Sequence, residues 1–147
     1  MVTTKWTDSP YPAWEGIEKY MADDSGWEIP HGPFLSTFID GEMAGAFVVI
    51  PWSEYCVQIH GGVARKFWGR GVEICTDMGM FLFTVTPCVK IVAIVPESNR
   101  LMRNCLVKTG LKEEGKIEKS FIKNMRFQDQ YVYGIHRGEV ITCQQRQ

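Results

Sequence analysis

Lys66-Phe67-Trp68-Gly69-Arg70-Gly71 stands between a β-type run and an amphipathic helical one, and its reading decides the rest of the chain. A strand that empties into a glycine-bearing turn and then a helix makes an anion site. The unbonded amides of the first helical turn and the positive end of the helix dipole converge there. Gly69 and Gly71 let the backbone approach a diphosphate closely, and Lys66 and Arg70 add positive charge at its rim. The same spacing also suits a plain tight turn, so the neighbouring segments have to decide between the two.

Upstream, residues 54–63 alternate as a strand, with Tyr55, Val57 and Ile59 on one face and Cys56, Gln58 and His60 on the other. Downstream, Val72, Cys75, Met78 and Leu82 form the apolar stripe of a helix that Pro87 ends. Residues 90–95 are almost wholly apolar and β-branched, the mark of a central strand covered on both faces. Ser98 or Asn99 caps a following helix whose Leu101, Met102, Cys105 and Leu106 face the core, and Gly110 sits where a left-handed stop belongs.

The ends read as antiparallel pairs. Residues 34–39 and 43–50 flank Asp40-Gly41, a strong hairpin signal, and residues 111–121 and 128–137 flank a polar turn at 123–126. Residues 14–21 space Trp14, Ile17, Glu18 and Met21 as a short helix; residues 23–33 form a loop with Trp27 and Ile29 as apolar anchors. The order helix, hairpin, strand, helix, strand, helix, hairpin predicts a mixed-sheet α/β or α+β domain.

A chain of 147 residues buries one core and no more, so residues 1–147 are read as a single domain. A net charge of −1 lacks the basic footprint of a nucleic-acid binder, and no nucleic-acid partner is expected. The five cysteines are an odd set without a C-x-x-C pair, which fits reduced thiols in a cytosol-like compartment. The start lacks the apolar region of a secretory signal, and residues 78–89 fall short of the ~20 that span a bilayer. A cytoplasmic protein without membrane contact is therefore expected. His31 and His136 have no Cys or carboxylate partners at ligand spacing, so no metal is predicted.

Four ordered segments resemble the GNAT acyltransferase superfamily. The hexapeptide 66–71 is similar to its Q/R-x-x-G-x-G/A acyl-CoA loop, with Lys66 in place of Gln or Arg. Val95-Pro96-Glu97-Ser98-Asn99, leading to Lys108-Thr109-Gly110-Leu111-Lys112-Glu113-Glu114-Gly115, looks like the strand, Asn-capped helix and "K-x-G-F-x-x-E-G" phrase of that family, with Leu111 for Phe. Asp129-Gln130-Tyr131-Val132-Tyr133 is similar to the final strand of the branch that acetylates protein N-termini and ribosomal proteins. Asp40-Gly41-Glu42-Met43-Ala44-Gly45 reads like its second-to-third-strand hairpin, so the likeness spans residues 34–137 in order.

The resemblance implies a GNAT fold: a mixed, mostly antiparallel sheet whose parallel fourth and fifth strands splay apart, with helices on both faces. It implies an N-acyltransferase, foremost an N-acetyltransferase, moving the acyl group of acetyl-CoA by direct attack of a primary amine. The acceptor would be a protein N-terminus, a lysine or a small amine, and the protein a monomer or homodimer. The implied cofactor-binding residues are Val63, Lys66, Phe67, Trp68, Gly69, Arg70, Gly71, Val95 and Asn99, with backbone near Val63 and Val95 pairing with the pantetheine arm. The thioester would point toward His60.

An amine nucleophile must lose a proton from a pKa near ~10 for Lys or ~8 for an α-amine, so a base is needed. His60, ordinarily near ~6.5, is the economical candidate, directly or through water; a hydrogen-bonded histidine on a sheet face is the equal alternative. Asn99 completes the catalytic pair by holding the pantetheine or a water. Two family positions depart from pattern: the Tyr before the helix-ending Gly is Leu106, and the Ser after the Asn is Met102. Cys105, Tyr131 and Tyr133 are read as packing residues rather than substitutes for that acid. Arg100, Arg103, Lys108 and Lys112 make either a basic edge for a 3′-phosphate or an ordinary solvated face. The absent acid leaves a second expectation, a structural or assembly protein, for example of a bacteriophage, that kept the fold without catalysis.

Overall fold

A computed structural model describes residues 1–15 and 31–139. Its elements are β1 (Val2–Thr7), β2 (Phe34–Ile39), β3 (Glu42–Pro51), β4 (Cys56–Val63), a 3-10 segment (Arg65–Arg70), α1 (Gly71–Val85), β5 (Lys90–Pro96), α2 (Arg100–Thr109), β6 (Lys112–Lys123) and β7 (Arg126–His136). The strands form one seven-stranded sheet in the order β1-β2-β3-β4-β5-β7-β6. Among the described residues only β4 and β5 pair in parallel. The other neighbours are antiparallel, as the mixed-sheet expectation requires.

Both tight hairpins follow from left-handed residues at their tips. Asp40 and Gly41 have φ of 49° and 84°, and Asn124 and Met125 have 52° and 61°, the type I′ pattern that matches strand twist. The second turn is tighter than the polar stretch 123–126 suggests, because β6 runs on to Lys123 and β7 begins at Arg126. β4 starts at Cys56 rather than Glu54, since the amides of Trp52 and Ser53 both turn back onto the Cys56 carbonyl.

β1 is the strand that pattern reading misses. It is a polar edge strand, and only its pairing with β2 reveals it. Thr4 ties it inward: its hydroxyl lies 2.9 Å from that of Thr37 and 2.6 Å from Asp77 on α1.

The core lies between the sheet and the helices. Phe47, Ile59, Ile91, Ala93, Val95 and Ile135 share one buried cluster with Ile74, Cys75, Met78 and Leu82 of α1 and Leu106 of α2. Both described helices therefore cover the same face. On the other face Trp14 is fully buried against Phe34 and Ala46 and donates its indole N–H to the Ala46 carbonyl at 2.8 Å. Residues 11–15 form turns, and residues 16–21 of the helix expected at 14–21 lie outside the described residues, as does most of the loop at 23–33. Among the described residues no helix is long and apolar enough to cross a membrane.

Candidate functional site: a cleft between β4 and β5

β4 and β5 pair only from Cys56 with Lys90 to Ile59 with Ala93, although β4 runs on to Val63 and β5 to Pro96. Each strand stays with its outer neighbour instead. β3 holds β4 through the Gly45–Val63 couple, and β7 holds β5 through Pro96–Gln130. With opposite outer partners and a twisting sheet between them, the two strands diverge beyond Ile59.

The gap opens into a cavity of about 280 Å³ bordered by Ile59, His60 and Gly61 on β4, by Ala93 to Pro96 on β5, and by Asn99 and Met102 at the start of α2. A second hollow of about 330 Å³ shares Gly61, Asn99 and Met102 with the first and reaches Val63, Trp68, Gly71, Arg100 and Lys123. The two form one cleft, running from the glycine loop down to the point where the strands rejoin.

Backbone alternation says which groups face the gap. The Ala64 amide bonds to the Ala44 carbonyl of β3 at 2.8 Å, so alternate residues, Gly62 and His60, also turn their polar backbone toward β3. Gly61 and Val63 then turn theirs into the cleft. The Val63 carbonyl already accepts the Trp68 indole N–H at 2.9 Å. On β5, the Glu97 amide bonds to the Asp129 carbonyl at 3.0 Å, and the same alternation turns the Val95 backbone toward Tyr131 of β7. Val95 thus borders the cleft with a buried side chain rather than with the backbone groups anticipated from sequence, and the backbone of Ile94 faces the gap in its stead.

The loop 66–71 is more ordered than an open anion cradle. It winds into the 3-10 segment, with Phe67 buried beneath it and the Phe67 amide bonded to the Ala64 carbonyl at 2.8 Å. Lys66 pairs with Glu42 and Arg70 with Glu73, each at 2.7 Å and each exposed, and Arg65 lies 5.3 Å from the Trp68 ring. Exposed pairs of this kind are weak and give way to a stronger anion. The two glycines differ in purpose. A Cβ on Gly71 would come within 2.9 Å of the Cys105 sulfur, so that glycine lets α1 and α2 meet. A Cβ on Gly69 would meet nothing within 4 Å. No contact within the described protein requires a glycine at 69.

His60 is half-buried on the face opposite the helices, paired with Val48. Burial pushes its pKa below the usual imidazole value, so it is neutral at pH 7. Asn99 caps α2, its side-chain oxygen accepting the Met102 amide at 3.2 Å, and it borders the cleft. Tyr133 and Tyr131 are committed elsewhere: the Arg103 guanidinium donates to the Tyr133 hydroxyl at 2.9 Å and lies 4.0 Å over the Tyr131 ring. Cys105 borders the outer hollow and sits 4.0 Å from Cys75. His31 and His136 are exposed, and among the described residues no group of His, Cys, Asp and Glu could hold a metal.

Two site residues escaped the sequence reading. Lys123 reaches the outer hollow from the far end of β6, a placement that no local pattern signals. Gly61 was legible in principle as a glycine inside a strand: a Cβ there would come within 2.3 Å of the Ala46 carbonyl and 2.6 Å of the Phe47 backbone.

Among the described residues the sheet splits between its one parallel pair, with a glycine loop and helix at the mouth. This is the fold of the GNAT acetyltransferases. A GNAT-family acetyltransferase from Bacillus anthracis superposes over 95% of this chain and 100% of its own, with a TM-score of 0.67 at 18% identity. RimJ from Mycobacterium smegmatis, solved with CoA-disulfide, matches 73% of this chain with a TM-score of 0.60 at 21% identity, and this chain spans only 54% of it. RimL, a ribosomal L7/L12 alpha-N-protein acetyltransferase, matches 70% of this chain and 68% of its own, with a TM-score of 0.62 at 16% identity. No protein-family model and no curated protein matches the chain. At these identities the GNAT fold is what the likenesses establish.

Proposed function

We propose that the chain is an acyl-CoA-dependent N-acyltransferase acting on a primary amine by direct attack, with acetyl among the acyl groups it transfers. The observation that carries this reading is the continuous cleft from the glycine loop to His60, opened by the early end of β4–β5 pairing. The residues present fit an acyl-CoA. Polar backbone of Gly61 and Ile94 faces a narrow gap suited to an amide-bearing arm, and the open space over Gly69 lets a diphosphate approach the loop. Lys66, Arg70, Arg100 and Lys123 supply nearby cations, once Lys66 and Arg70 exchange their exposed carboxylate partners for phosphate. Phe67 holds the loop from beneath, and Trp68 forms its wall while tying down the Val63 carbonyl.

Bound acyl-CoA would supply a thioester carbonyl as electrophile and a thiol as leaving group. Neutral His60 accepts the proton of the incoming amine at a ring nitrogen, directly or through one water. Asn99 steadies the arm through its side-chain NH₂. No described tyrosine or serine takes the usual acid position, so the departing sulfur draws its proton from water or from the imidazolium of His60. The acceptor would be a protein N-terminus, a lysine or a small amine. RimL, by its name an alpha-N-protein acetyltransferase, is consistent with this class. The free cysteines suit the reducing cytoplasm.

The test is calorimetric titration with CoA together with mass spectrometry of the purified protein for co-purified CoA species. Micromolar binding supports the reading; no binding at millimolar CoA overturns it.

A further inference from the structure

The cleft does not end where β4 and β5 join. Ile59 and Ala93 are the last couple before the gap, yet the cavity wall also includes Ile91, deeper along β5, and Met78 and Gly79 of α1. Paired backbone closes the sheet at Ile91, so this extension lies on the helix face, between α1 and β5. Met78, Ile91, Leu111 and Ile135 around it are buried. No Asp, Glu, Lys or Arg borders the cavity. Gly79 contributes no side chain where α1 faces the sheet, and a Cβ there would meet only Ile91 Cδ1, at 3.8 Å.

Resting on the acyl-CoA reading of the cleft, we infer that this recess receives the hydrocarbon tail of the acyl group, so that straight aliphatic donors longer than acetyl are preferred. The recess follows β5 from Ala93 to Ile91, a reach of about 7 Å along a strand, room for a chain of about four to six carbons. Met78, Ile91, Leu111 and Ile135 around the recess, with no carboxylate or cationic side chain on the cavity wall, favour methylenes and disfavour a dicarboxylic acyl group, whose second carboxylate would be desolvated without a cationic partner.

Titration calorimetry with CoA, acetyl-, butyryl-, hexanoyl- and succinyl-CoA tests this without relying on turnover. Dissociation constants are expected to fall about fourfold per added methylene as far as butyryl, and succinyl-CoA to bind more weakly than butyryl-CoA. Gly79→Leu is expected to abolish the chain-length gain while leaving CoA and acetyl-CoA affinity unchanged. Gly79→Ala, whose methyl has ordinary room and which favours the helix, keeps the test available should the larger side chain disturb folding. In that variant hexanoyl-CoA should lose affinity before butyryl-CoA does. Flat affinity across the series with CoA still binding, or chain-length preference unaffected in both Gly79 variants, overturns the recess and leaves the transferase reading standing. Failure of every CoA species to bind overturns the transferase reading itself.

Discussion

His60 combines two properties that a base for amine deprotonation needs: a place at the inner end of the cleft and a neutral ring at pH 7, the second favoured by burial. His60→Ala should leave CoA affinity intact while lowering turnover about ten- to ten-thousand-fold, measured by initial rates against a CoA titration. The pH dependence follows from the direction of the shift. The unfolded chain takes up a proton at His60 near ~6.5 and the folded protein only at lower pH. His60 therefore costs no stability above that value, and stability is lost as pH falls from there through the lowered folded pKa. Thermal unfolding of wild type and His60→Ala between pH 7.5 and 5 should show a smaller acid loss in the variant, and parallel curves would contradict the burial argument. The histidine was legible in the sequence as a candidate. Its burial was not, because depth depends on which strands and segments stack over Val48 and Gln58.

At the scale of elements, the glycine loop and its helices divide into parts that hold the fold and parts that leave room. Gly71 belongs to the first kind: Gly71→Ala drives a methyl against Cys105 where α1 meets α2, and a loss of about 1–3 kcal/mol is expected in denaturant unfolding. Gly69 belongs to the second. Gly69→Asp should fold with wild-type stability yet lose CoA binding, through steric blockage and repulsion of the diphosphate; undiminished affinity would show the loop to be misassigned. Asn99 stands on both sides, and Asn99→Ala should cost about 1 kcal/mol from the lost cap as well as weakening CoA binding. Sequence reading treated the two loop glycines alike because their spacing is all it sees. Only the approach of α2 to α1 separates them.

The whole molecule is a sheet forced open at its centre, and a ligand that bridges the two halves should stabilise both. At about one hundred times its dissociation constant, CoA should add about 2.7 kcal/mol, or roughly 5–10 °C in melting temperature for a domain of this size. Absence of any shift at millimolar CoA would count against the cleft as its site.

Much of this architecture was written locally. The Asp40-Gly41 turn, the β-branched run at 90–95, the Asn99 cap and the Gly110 stop each carry their own backbone preference, so they could be read one segment at a time. The sequence alone therefore determined the alternation of strands and helices and the position of the glycine loop between them. The tertiary structure decided what that loop borders. β4 parts from β5 because β3 and β7 hold them on opposite sides, Val95 turns its backbone away because β7 claims it, and Lys123 arrives from a strand edge distant in the chain. Such outcomes depend on the pairing of segments far apart in sequence, and no local propensity encodes them.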